Sequence, residues 1–184
     1  KKVLIALFAT LVLVVLVSFL LPSRVRVERS ITINAPAERV YEPVSTLKTW
    51  KDWTAWNPTK YPNMKWEYKG PDSGVGAESM WTDPGGDGHM KITKADPKDG
   101  VEYDLTFGGM PTIPGSIKFS PANKGGDTKV TWFFESDTGW NPINRYFCNF
   151  FMDSLIGSDF ETGLAGLKKR VEGDGGELKP SADA

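Results

Sequence analysis

RVRVERSITINAPAERVY, residues 24–41, holds the change of period from which the rest of the chain can be read. Up to Asn34 the residues alternate. Val25, Val27, Ile31 and Ile33 fall on one side, and Arg24, Arg26, Glu28, Ser30 and Thr32 on the other, the repeat of a strand with one buried face. Arg29 stands on the apolar side; a bulge or strand end that turns it outward is one reading, an anion-binding role the other. Asn34-Ala35-Pro36-Ala37-Glu38 then stops the strand and opens a helix, because proline is favoured in a first helical turn and an acid there suits the helix dipole. Val40, Tyr41 and Val44 give that helix its apolar side.

Downstream, residues 48–64 hold Trp50, Trp53 and Trp56 among Pro58 and Pro62, the composition of a short helical turn running into an irregular loop. Alternation then returns. Met64, Trp66 and Tyr68 alternate with Lys65, Glu67 and Lys69; Val101, Tyr103, Leu105 and Phe107 alternate with Glu102, Asp104 and Thr106. Shorter strands are expected over 78–82, 89–94 and 116–120, and a stronger one over 129–135 carrying Val130, Trp132 and Phe134. The Gly-, Pro- and Asp-rich connectors at 71–74, 83–88, 97–100 and 124–127 are turn chemistry. Near the end Phe160, Leu164, Leu167 and Val171 return at helical spacing. Residues 145–156 are apolar nearly all round, so this helix is expected to be covered on both sides, with Gly157 marking a kink or break. Strand, short helices, about six strands and a long final helix make an α+β fold, helices segregated on an antiparallel sheet.

That order, with residues 30–41, the Trp50 and Trp53 pair, residues 70–77 and residues 160–168, resembles the START-like superfamily, also called SRPBCC or polyketide cyclase/dehydrase-like. The resemblance covers most of residues 24–172. It implies a helix-grip fold, a curved antiparallel sheet around a long C-terminal helix. It further implies a pocket and not a reaction, since many members are containers for a lipid, sterol, quinone or polyketide.

Upstream of the domain, residues 3–21 read VLIALFATLVLVVLVSFLL, with no charge and only Thr10 and Ser18 polar. At 1.5 Å per residue such a helix covers roughly 28 Å, close to the ~30 Å apolar layer of a bilayer. A transmembrane helix is therefore expected within an anchor segment 1–23, and a cleaved signal peptide is disfavoured by the length of the run and the missing small-x-small site. Lys1 and Lys2 face Arg24, Arg26 and Arg29 across the span in near balance; the expectation is a single-pass protein with its N-terminus inside and its domain outside the cytoplasm. The domain is expected to fold as a soluble monomer without the anchor. The Gly-, Asp- and Pro-rich tail 173–184 is expected to be disordered.

A net charge of −1 with interspersed signs leaves no basic stripe for nucleic acid. Catalytic candidates are few. His89 is the only histidine and follows a glycine turn; Cys148 is the only cysteine, lies in an apolar helix, and is expected to pack as a small hydrophobe. No His/Cys cluster has metal-ligand spacing, and no cofactor is expected. Gly74-Val75-Gly76 and Gly108-Gly109 lack the ending of a phosphate loop; the second pair is a bulge or part of a pocket wall.

Seven tryptophans and ten phenylalanines remain to be placed. The expected role is a membrane-tethered module that binds a lipid-, quinone- or polyketide-like molecule between sheet and helix. The cavity is expected to open near the Trp50–Trp56 loop and to be lined by Trp53, Trp56, Trp66, Tyr68, Trp81, Phe107, Phe119, Trp132, Phe134, Phe147 and Phe151. Two alternatives stand beside it. A cyclase- or dehydratase-like enzyme needs a buried acid or histidine aimed into the cavity, with Glu78, Asp104 and Glu135 the acids to inspect. An accessory subunit of a larger membrane complex needs no free cavity.

Overall fold

The computed structural model describes residues 1–108, 111–123 and 126–173. Seven strands, β1 (Arg24–Ile33), β2 (Lys65–Lys69), β3 (Glu78–Thr82), β4 (Gly88–Asp96), β5 (Gly100–Phe107), β6 (Ile113–Pro121) and β7 (Thr128–Asp137), form an antiparallel sheet in the order β1-β7-β6-β5-β4-β3-β2. From β2 to β7 each strand pairs with the next, as alternating segments joined by tight turns must, and β1 closes the other edge against β7. The connection from β1 to β2 carries α2 (Ala37–Ser45), a 3-10 turn (Leu47–Thr49) and α3 (Trp50–Trp53). After β7 come α4 (Pro142–Phe150) and α5 (Met152–Gly173). This is the expected helix grip: α5 lies along β1 and against α3.

The core forms between these layers. Val27, Ile33, Ile92, Val101, Ile117 and Val130 of the sheet are fully buried, with Val40 and Val44 of α2 above them. The expected face of α5, Phe160, Leu164, Leu167 and Val171, is buried throughout. Gly163 and Gly166 explain how the helix comes so close: a side chain at 163 would meet the Trp132 ring, and one at 166 would meet the Trp53 carbonyl.

Four expectations are corrected. The break between the last two helices falls at Phe151, and Gly157 sits inside α5. Gly157 is instead the place where the Arg29 guanidinium lies against the helix, in space a side chain would fill. Nor is the segment 145–156 covered on both sides, since Phe150, Phe151 and Leu155 are exposed. Arg29 itself lies in unbroken register with Trp132, so no bulge turns it out. It reaches α5, donating to Glu161 at 2.6 Å and to both oxygens of Asp153 at 2.8 and 3.0 Å, which occupies the guanidinium that an anion site would need.

The fourth correction concerns the first segment. The apolar helix, α1, spans Lys2–Ser18 and stops short of Leu21. Among the described residues no helix is long and apolar enough to cross a membrane. The chain leaves the helix because its end is held by α4: Tyr146 donates to the Val14 carbonyl at 2.8 Å, Arg145 to Leu21 at 2.8 Å and Asn149 to Pro22 at 3.1 Å. The tail beyond 173, expected to be disordered, lies outside the described residues.

Candidate functional site

Strand alternation sets one row of side chains across the concave face of the sheet. Tyr68 stands opposite Ser79, Ser79 opposite Met90, Met90 opposite Leu105 and Leu105 opposite Ile113. Trp66, Trp81, Tyr103, Phe107, Trp132 and Phe134 point to the same side. Leu47, Trp50, Thr54 and Trp56 from the crossover, Phe147 of α4, and Met152, Leu155, Ile156 and Phe160 of α5 face them. Between the two sets lies a cavity of about 490 Å³. This is within the range of small-molecule sites.

Its inner wall is a cluster of rings. Trp132 stacks on Phe160 at 4.4 Å and 10° and takes the edges of Trp50 at 5.6 Å and Trp56 at 5.9 Å. Trp132 also donates its indole N–H to the Tyr103 hydroxyl at 2.8 Å. Tyr103 lies across the backbone of Gly115, its opposite number on β6, where any side chain would collide with the ring. Burial pushes the Tyr103 hydroxyl well above the usual tyrosine range. The remaining polar side chains of the lining are Thr54, Ser79, Tyr68 and Lys51; no carboxylate or imidazole lines it among the described residues.

Of the eleven residues expected to surround a cavity, eight do: Trp56, Trp66, Tyr68, Trp81, Phe107, Trp132, Phe134 and Phe147. Three do not. Trp53 is buried behind Trp132, its indole N–H without a partner among the described residues. Phe119 shares the inner face but stands opposite Val130, six residues along β6 from Ile113 and so about 20 Å away. Phe151 falls at the helix break and points outward, stacked on Phe147 at 6.2 Å. Sequence reasoning missed Trp50, Tyr103, Met90, Leu105, Ile113 and the α5 residues. Tyr103 and Leu105 lie in the same alternation as Phe107, and that alternation was the signal that could have found them.

Trp50 is deep, whereas the exposed lining residues are Lys51, Phe147 and Leu155, with Trp56, Met64, Trp66, Trp81 and Phe107 half-exposed. The mouth is therefore bordered by the Trp50–Trp56 loop, the β2–β3 hairpin and the α4–α5 junction. Gly108 follows Phe107 with left-handed backbone (φ +43°) and open space where a side chain would stand, while Gly109 lies outside the described residues.

None of the inspected acids points into the cavity. Glu78 pairs with Lys91 at 2.8 Å and His89 at 3.2 Å, which together hold its carboxyl below the usual range. Glu135 is held by Arg26 at 2.8 Å, and Asp104 is exposed on the other face. Cys148 is buried, and burial pushes its thiol up.

A sequence model of the family described as polyketide cyclase / dehydrase and lipid transport matches residues 24–172. No curated protein matches the chain. Among solved structures, the chain is similar to the Aha1 dimer from Colwellia psychrerythraea (20% identity, TM-score 0.57, 80% of this chain and 96% of that one). It is also similar to protein Ms6760 from Mycobacterium smegmatis (12%, TM-score 0.56, 79% and 90%) and protein CV1439 from Chromobacterium violaceum (15%, TM-score 0.54, 82% and 99%). At these identities the likeness is one of fold.

Proposed function

The chain belongs to the polyketide cyclase / dehydrase and lipid transport family, and on that premise we propose that its domain binds one hydrophobic small molecule without transforming it. The observation that carries this reading is the cavity of about 490 Å³ between sheet and helices, walled almost wholly by aromatic and aliphatic side chains. Burying an apolar guest there releases about 25 cal/mol for each Å² removed from water. The lining offers hydroxyls to orient a guest and, among the described residues, no acid or imidazole to move a proton.

The guest is lipid-, quinone- or polyketide-like and comes from a bilayer to which the protein is tethered. Support comes from two adjoining surfaces. Residues 3–17 of α1 are apolar except Thr10 and largely exposed. Next to its end stand exposed apolar side chains: Trp140 (83% exposed), Ile143, Phe150 (61%), Phe151 and Leu155. Trp140 touches Phe19 at 5.6 Å, so the two surfaces are continuous, and Phe147 and Leu155 belong both to this face and to the mouth of the cavity. An apolar patch of this kind is unusual on a protein facing only water. Seated in the headgroup region, it places the mouth where an apolar guest already resides.

Native mass spectrometry of the full chain, with organic extraction of the same preparation, tests the reading. The expected result is a single apolar compound bound one to one. A compound chemically altered on incubation favours the enzyme reading; an empty protein that purifies in fixed ratio with other chains favours the accessory-subunit reading.

A further inference from the structure

We infer that the Tyr103 hydroxyl is the polar anchor of the cavity, selecting an apolar guest that carries a hydrogen-bond-accepting oxygen such as a ketone or quinone carbonyl. This deepens the proposed function and rests on it.

A tyrosine hydroxyl has one proton to give and two lone pairs to receive. At Tyr103 one lone pair is taken by the Trp132 indole N–H at 2.8 Å, and the proton has no acceptor among the described residues. The side chain is 97% buried, being 3% exposed, and both rings of the pair line the cavity. A buried hydroxyl ordinarily finds an acceptor; here the cavity that Tyr103 lines is where one would have to be. Three features hold the hydroxyl in place: Gly115 beneath the ring, the edge of Trp50 at 5.6 Å, and Trp132 fixed on Phe160. The bond received from Trp132 polarises the hydroxyl and makes it a better donor. Burial keeps it protonated, so it gives a hydrogen bond and not a proton. The other hydroxyls are placed differently: Thr54 is turned to the Trp56 carbonyl at 3.3 Å, and Ser79 and Tyr68 lie on β3 and β2, at the far edge of the sheet from Trp132.

The test uses the full chain in lipid nanodiscs, with empty nanodiscs correcting for partition, and two probes of equal shape, 2-acetylnaphthalene and 2-ethylnaphthalene. Wild type is expected to bind both. Tyr103→Phe is expected to lower the preference for the acetyl probe over the ethyl probe about fivefold to tenfold, the worth of one buried hydrogen bond. Infrared spectra of the wild-type complex give a second readout that needs no variant: the bound probe's carbonyl stretch is expected below its value in hydrocarbon. An unshifted carbonyl, or the same preference for the acetyl probe in wild type and variant, overturns the anchor while leaving the cavity reading standing. Failure of wild type to bind either probe overturns both.

Discussion

Arg29 shows what a single residue discloses and conceals. The strand period alone places its side chain on the inner face, but its partners arrive from α5, more than a hundred residues away, at Asp153 and Glu161. No local pattern announces them. Because the pair is partly exposed, Arg29→Ala is expected to cost only about 1 kcal/mol, with a coupling to Asp153→Asn that shrinks in salt, measured by a double-mutant cycle in denaturant. Arg29 holds the Asp153 carboxyl below its usual range. The pair therefore contributes fully above the unfolded aspartate pKa and is lost as pH falls through the lowered folded value, so Arg29→Ala flattens the acid limb of the stability curve. Tyr103 has the opposite sign. Its folded pKa is raised, so its contribution is complete below the ordinary tyrosine value of about 10 and is lost as pH rises above it. Denaturant unfolding from neutral to strongly alkaline pH is expected to show a fall that Tyr103→Phe reduces.

Elements were legible where a period ran long enough. The seven strands and the buried face of α5 follow from alternation and from the 3.6-residue repeat. The glycines of α5 were legible as a cost, because each weakens a helix by about 1 kcal/mol against alanine, but whether they bring neighbours close or leave a hollow depends on what crosses them. They bring neighbours close. Gly166→Ala is expected to destabilise the domain by about 1–3 kcal/mol despite its better helix propensity, since the added carbon meets the Trp53 backbone, which cannot swing aside; thermal and denaturant midpoints check this. The break at Phe151 and the end of α1 at Ser18 were not legible. The second lies beside contacts between α4 and distant backbone, with Arg145, Tyr146 and Asn149 holding residues 14–22.

At the scale of the whole molecule, the helix-grip architecture follows from the order of its elements, and the hollow does not. An inner face of Trp, Phe and Leu has the same period whether the facing helices interlock with it or stand off, so the cavity depends on where α4 turns into α5. Phe119 and Trp53 make the same point: both lie on inner-facing elements, yet distance along the strand or a tryptophan in front keeps them from the space. The core of residues 23–172 is complete without α1. That segment alone is expected to be a folded monomer by sedimentation and circular dichroism, and aggregation in every host would contradict its independence. The central claim, a cavity that takes a hydrophobic guest, is tested most directly by titrating the full chain in nanodiscs with an environment-sensitive apolar dye, beside Leu105→Trp, which fills the cavity, and Phe151→Ala, which lies outside it. Saturable one-to-one binding in wild type and Phe151→Ala, and its loss in a folded Leu105→Trp, is the predicted result; binding that never saturates, or that Leu105→Trp leaves unchanged, would contradict the account.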